Sequence, residues 1–369
     1  MTRKIIITVP KLSTAGGVSA FWNALLPKLA QYEDIAINTL EVGGHGKNSL
    51  GPVSDQMKFK KTIDSTTDLV VLNPSLGARS FFRDGLFARR LAKKNVDFVV
   101  FFHGWDLAFE EKVSKKYVKF FQNSFGKAKR IFVLSQEFKS SVEEWGFEGE
   151  VFVETTTVDS TLLNDFSIEE KLTASTETAH INVLFLSRLL REKGIYEVID
   201  AFKNLQTRFS NLRLIIAGDG VEFKTVSHYI RSLSGIEMIG HVEGECKVDL
   251  FKECHIYCMP SYSEGLPTSV LEAMAFALPV VTTPVGGLKY FFEDKKMGYF
   301  VDLEKREDLE QKLEKLIVDG KLRTQIGKYN HDVAAERLVS TVVAKRLHNH
   351  FLHCMSAPLN SQWSRTYGR

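Results

Sequence analysis

The chain has 369 residues, 44% hydrophobic and 25% charged, with a formal net charge of +3. That length exceeds one ordinary core and predicts two α/β domains, and the composition is that of a globular protein. No apolar run approaches a bilayer span, the opening MTRKIIITVPKL has too short an apolar core for a secretory signal, and the four cysteines lack paired CxxC spacing, so a membrane-spanning class, a disulfide framework and a zinc site are not expected.

The expected compartment is therefore the cytosol. The charge is uneven. Residues 1–150 carry 22 Lys and Arg against 16 Asp and Glu, net +6, which leaves 26 against 29, net −3, for the remainder. Much of the excess sits in residues 79–94 (RSFFRDGLFARRLAKK) and 109–130 (FEEKVSKKYVKFFQNSFGKAKR), where aromatics interleave with cations at helical spacing. Such segments suit either docking on an anionic membrane surface or a solvated helix face packed on a core. No recognised module or basic tail accompanies them, which argues against nucleic acid.

Short apolar runs alternate with amphipathic stretches throughout, the pattern of parallel sheets covered by helices. Residues 4–9 (KIIITV) read as a first buried strand, running into a loop with Gly16 and Gly17 and then a helix. Glycine between strand and helix lets the backbone approach a ligand without a Cβ in the way. Further strands are expected at 35–42, 69–72, 96–102, 130–134 and 151–154, whereas residues 43–66 follow no interpretable period. His103 follows the strand DFVVFF directly, with Asp106 three residues on. Ligands of doubly wound folds bind at strand carboxyl ends, so His103 is either a contact to substrate or a loop cap.

Residues 155–180, rich in Thr, Ser and acids, read as the link to a second α/β series. Its strands fall at 181–186, 212–217, 236–239 and 256–259, with an amphipathic helix at 194–209. SRLLREKG places Arg188 and Lys193 in a loop at a strand end, a guanidinium and an ammonium suited to a diphosphate, although the motif standing alone would read as a solvated loop. The next strand ends in Gly218, Asp219 and Gly220, and CHIYC, around His255, reads as a buried strand rather than a metal site.

Residues 260–287, PSYSEGLPTSVLEAMAFALPVVTTPVGG, carry the most information. Glu264 lies in a loop with Gly265 and Pro267; Glu272 lies within an apolar helix. A helix opening from such a loop presents free backbone N–H groups and a positive dipole end to an anion, phosphate above all. A glutamate in an apolar helix costs free energy without a partner, so Glu272 is expected to meet a ligand hydroxyl or a neighbouring donor, unless it is a capping or structural acid. A strand at 298–301, a helix at 306–319 and a long helical stretch at 331–355 follow, and the polar tail 356–369 is expected to be loosely ordered or draped over a neighbour.

Taken in order, Gly16-Gly17-Val18, His103 in FFHG, SRLLREKG, the GDG at 218–220, IGHV at 239–242 and the two glutamates seven residues apart ending in PVGG resemble the GT-B glycosyltransferases, and among them the retaining GT4-like family. The resemblance spans nearly the whole chain and implies two Rossmann-like domains facing a central cleft. Residues 1–160 would bind acceptor, 161–345 would bind the nucleotide-sugar donor, and 346–369 would pack back toward the N-terminal domain. By the same resemblance Arg188 and Lys193 would hold the donor diphosphate, with Gly16, Gly17 and Gly218 close by. Glu272 would bond the ribose, Glu264 would lie beside the transferred sugar, and the backbone of Gly265, Leu266 and Thr268 would face sugar and phosphate. His103 would touch the sugar near the reacting centre, and backbone at His241 and Val242 would read the base.

The resemblance implies sugar transfer with retention from a nucleotide diphosphate donor, UDP-linked in preference, to a saccharide or lipid-linked acceptor in surface polysaccharide synthesis on the inner membrane face, without metal or cofactor. Alternatives are a GT-B epimerase or phosphorylase, or a silent nucleotide-binding module. Two departures stand out: Thr156-Thr157-Val158-Asp159 replaces an Asn-Gly-Val-Asp-like junction, and Ser187 replaces a glycine before Arg188.

Overall fold

The computed structural model describes residues 2–14, 16–44, 51–176, 178–305 and 307–355. The N-terminal half contributes strands β1 (Arg3–Val9), β2 (Ile35–Glu41), β3 (Leu69–Leu72), β4 (Ser75–Leu76), β5 (Asp97–Phe101), β6 (Gly104–Trp105), β7 (Arg130–Val133) and β8 (Glu150–Val153). Six of them form a parallel sheet in the order β2-β1-β3-β5-β7-β8, while β4 and β6 pair beside it. The C-terminal half contributes β9 (Ile181–Leu186), β10 (Leu212–Ala217), β11 (Ile236–Gly240), β12 (Ile256–Met259), β13 (Val280–Thr282) and β14 (Gly298–Phe300), in the order β11-β10-β9-β12-β13-β14. Central strands such as IIITV of β1 and IYCM of β12 are apolar and buried along their whole length, as strands covered on both faces by helices must be. Strand order reverses between β1 and β3 in one sheet and between β9 and β12 in the other. Such a switch point opens a crevice at the strand carboxyl ends, because the helices leaving the two strands diverge to opposite faces.

Each domain has its own hydrophobic cluster, and one helix from the C-terminal half of the chain packs into the N-terminal one. Helix Ser340–Met355 gives Val343, Ala344, Leu347, Phe351 and Cys354 to the N-terminal core, so the chain's end crosses back. The helical stretch expected as one piece at 331–355 is two, Gly320–Arg337 and Ser340–Met355. The break has a reason. Leu338 and Val339 lie where the chain passes between domains and pair with the other crossing segment: Val158 N–H donates to Leu338 O at 2.9 Å and Ser340 N–H to Val158 O at 2.8 Å. Thr157 Oγ1 adds a bond to Leu338 O at 2.9 Å. The crossing therefore falls at 338–340, ahead of the boundary at 345 that the resemblance implies.

Other expectations shift as well. Within residues 43–66 a helix spans Gly51–Thr62, and 45–50 lie outside the described residues. The helix expected at 306–319 spans Asp308–Val318, and Arg306 and the tail 356–369 lie outside the described residues. In the basic segments the aromatics turn inward: Phe81, Phe87, Phe109, Phe121 and Phe125 are core residues, with Phe87 stacked on Phe59 at 4.1 Å. Leu86 and Leu107 remain exposed beside Lys93, Lys112, Lys116, Lys119 and Lys127, so the outer face of these segments is chiefly charge.

Candidate functional site

The two switch points face each other across a cleft of about 620 Å³. From the C-terminal domain, the loops after β9 and β12 form one wall and are tied together. Ser261 Oγ donates to Glu192 O at 3.0 Å, Tyr262 N–H donates to the same carbonyl at 2.8 Å, and the buried Tyr257 hydroxyl reaches Leu186 O at 2.8 Å and Ser269 Oγ at 2.7 Å. Gly194 permits this approach: its φ is +76°, and a Cβ there would stand 2.2 Å from Pro260 O. The fastening sets Lys193 against Glu264, Nζ to Oε1 at 2.7 Å, with side chains only 8% and 12% exposed. Arg188, on the same loop, is exposed and has no ion-pair partner among the described residues. Helix Thr268–Ala275 opens toward the cleft without a side-chain cap; Val270 N–H donates to Pro267 O, and the N–H groups of Thr268 and Ser269 are left available to an anion.

Glu272, one turn into that helix, is buried and meets Lys247 Nζ at 2.8 Å. Burial pushes its carboxyl pKa up, and the Lys247 ammonium draws it back down without cancelling the rise. From the N-terminal domain, Gly16 and Gly17 begin helix Gly17–Leu29 at the cleft edge, and a Cβ on Gly17 would meet nothing within 4 Å. His103 follows β5 and is half-buried, stacked on Phe101 at 4.0 Å with Phe21 edge-on at 4.8 Å. Those apolar rings strip water from the imidazole and lower its pKa to about 3, so it is neutral at physiological pH. Its Nε2 lies 2.9 Å from Asn73 Oδ1.

Residues 169–333 match the family model described as Glycosyl transferases group 1. A Bacillus subtilis protein named as a teichuronic acid biosynthesis glycosyltransferase, TuaC, is 28% identical over 199 residues, 53% of this chain and 49% of TuaC. The chain thus aligns with about half the length of that relative. Among solved structures, sucrose-phosphate synthase from Thermosynechococcus elongatus superposes with a TM-score of 0.73 at 14% identity, covering 95% of this chain and 98% of that one. Anabaena HepE, solved in complex with UDP-glucose, superposes at 0.70 and 16% identity, covering 95% and 99%. The chain has the GT-B fold, and residues 169–333 are similar to the glycosyl transferases group 1 family.

In this GT-B cleft the residues that the resemblance assigned to donor and sugar come together: Gly16, Gly17, His103, Arg188, Lys193, Gly218, His241, Val242, Glu264, Gly265, Leu266, Thr268 and Glu272 line it. Asp106 does not; it accepts from Phe109 N–H at 3.2 Å and caps helix Leu107–Lys112. His255 is likewise structural, its Nδ1 accepting from Asn182 N–H at 3.1 Å at the amino ends of the central strands β9 and β12, away from the cleft. Of the two junction departures, Thr156 and Ser187 both line the cleft. Lys247 and Asn73 were not legible as site residues. Lys247 sits in an ordinary amphipathic helix, Gly244–Glu253, with no local signal, whereas Asn73 follows β3 and obeys the same strand-end rule that marks His103.

Proposed function

We propose that this protein is a retaining glycosyltransferase that moves a sugar from a nucleotide diphosphate donor, UDP-linked in preference, to a saccharide or lipid-linked saccharide acceptor in surface polysaccharide synthesis. One observation carries the reading: Lys193, Arg188 and an uncapped helix start converge in one interdomain cleft with Glu264 and Glu272. Displacing a nucleoside diphosphate builds negative charge on the leaving phosphate, and preorganised cations with helix-terminal amides stabilise that charge in place of a metal. Glu272 suits a ribose diol because a buried carboxylate gains most from strong donors.

In the proposed step the bond from the sugar's anomeric carbon to the phosphate oxygen breaks, its electron pair leaving on the diphosphate. The acceptor hydroxyl attacks the same face and passes its proton to a leaving phosphate oxygen. Glu264 is engaged by Lys193, and His103 holds its proton too weakly to act as a base, which favours this route over a protein nucleophile or general base. The polysaccharide assignment is favoured by the name of TuaC, and the donor class by the UDP-glucose held in HepE.

Thermal-shift titration with UDP, GDP and ADP tests the diphosphate reading. At least one diphosphate should stabilise strongly, by about 2.7 kcal/mol at a hundredfold excess over Kd, with its monophosphate much weaker. Equal shifts for mono- and diphosphate would refute it. A second reading concerns location: the outward cations of residues 79–94 and 109–130 favour peripheral docking on an anionic inner membrane face. No described helix is long and apolar enough to cross a membrane. Flotation with anionic liposomes, lost at high salt, is the expected result; flotation indifferent to lipid charge would contradict it.

A further inference from the structure

Asn73 is held by Thr8 of β1 at two points, and Thr8 is itself anchored to β3. The Asn73 backbone N–H donates to Thr8 Oγ1 at 3.1 Å, its side-chain Nδ2 donates to Thr8 O at 2.7 Å, and Thr8 Oγ1 continues to Val71 O at 3.3 Å. A carbonyl oxygen can only accept, so the amide nitrogen must face Thr8 and the amide oxygen must face His103. That oxygen stands 2.9 Å from Nε2 and likewise only accepts, which requires a proton on Nε2. The neutral ring has one N–H to give, and it is spent on Asn73. Nδ1 is left as a bare lone pair with no hydrogen-bond partner among the described residues. Nor is it among the sealed atoms without a partner, so it is open to the cleft that His103 lines.

We propose that Asn73 is a positioning residue that fixes His103 as the Nε2–H tautomer, so that Nδ1 accepts a hydrogen bond from a hydroxyl of the sugar carried in the cleft. The assignment of that hydroxyl to a sugar rests on the nucleotide-sugar reading above; the tautomer does not. Specificity follows from it. A site with a bare acceptor discriminates against a donor whose sugar lacks the hydroxyl or carries an acyl or ether group there, because the lone pair is then left unpaired in a dehydrated place. It gives no such discrimination between sugars that share the hydroxyl and differ elsewhere. Asn73 contributes this without touching the sugar.

Nitrogen-15 NMR of the histidine-labelled full chain, free of ligand, reads the tautomer directly. In the wild type the His103 Nε2 should be protonated and Nδ1 unprotonated, and Asn73→Leu should give a mixture of the two tautomers. A wild-type Nδ1–H overturns the proposal whether or not the variant folds, as does an unmixed Nε2–H form in Asn73→Leu. For whichever donor of a UDP-, GDP- and ADP-sugar panel the wild type turns over, Asn73→Leu should lose about tenfold in kcat/KM, the equivalent of one hydrogen bond, with binding of the free nucleoside diphosphate unchanged. Wild-type turnover in the variant overturns the positioning role. Turnover of no donor by the wild type would instead count against the glycosyltransferase reading and leave the tautomer result standing.

Discussion

At the scale of single residues the cleft is built on two ion pairs with different tasks. Lys193 and Glu264, 2.7 Å apart, set a cation beside a carboxylate in the cleft, and in the proposed function the first meets the diphosphate and the second the sugar. Lys193→Ala should weaken UDP binding by about 30-fold, the roughly 2 kcal/mol of a charge-assisted hydrogen bond, as read by calorimetry. Glu272 with Lys247 is the second pair, and burial leaves the glutamate's pKa above its ordinary 4.5. The folded state then binds more protons than the unfolded one as pH rises above 4.5, so this group's contribution to stability falls with pH across that window. Glu272→Gln should accordingly melt above the wild type near neutral pH, lose that advantage below pH 4.5, and bind UDP more weakly throughout. Lys247 is 21% exposed, so losing its partner does not bury a bare charge. Sequence alone identifies the glutamates and Lys193, because helix starts and strand ends are local features. It cannot see that Lys193 is already occupied by Glu264, which depends on how the loops after β9 and β12 close on each other, or that Lys247 arrives from the helix that follows β11.

At the scale of elements, backbone conformation fixes that closure. Gly194 has a left-handed φ of +76° and no room for a Cβ, whereas Gly17 opens on empty space. Gly194→Ala should cost about 2 kcal/mol or more in denaturant unfolding and should loosen the Lys193–Glu264 contact, while Gly17→Ala should stay within about 0.5 kcal/mol. Most strands were legible because buried parallel strands are short unbroken apolar runs, as in Ile256–Met259. The two-residue strands Ser75–Leu76 and Gly104–Trp105 were not, since pairs so short carry no period. The aromatics of residues 79–94 and 109–130 left two readings open for a related reason. Helical spacing tells which residues share a face, not whether that face meets a core or a membrane, and here Phe81 and Phe121 meet the core.

At the scale of the molecule, the chain's last described helix returns from the C-terminal half to complete the N-terminal core. Leu347 is fully buried in the N-terminal cluster although it lies near the end of the chain. Leu347→Ala should cost about 3 kcal/mol, and the loss should appear in the transition that UDP does not shift, because the nucleotide is expected on the C-terminal domain. The return itself was legible from the family resemblance, but its position was not: helical period continues through Leu338 and Val339, and only their pairing with Thr157 and Val158 interrupts the helix.

The central claim is that this cleft transfers a sugar from a nucleotide diphosphate. Release of nucleoside diphosphate from a panel of UDP-, GDP- and ADP-sugars, followed in the presence of a membrane extract as acceptor source, measures it most directly. The account predicts release from one donor class, lost in both Lys193→Ala and Glu264→Ala, with the anomeric configuration of the transferred sugar retained by NMR. No release from any donor, or release undiminished in both variants, would contradict it.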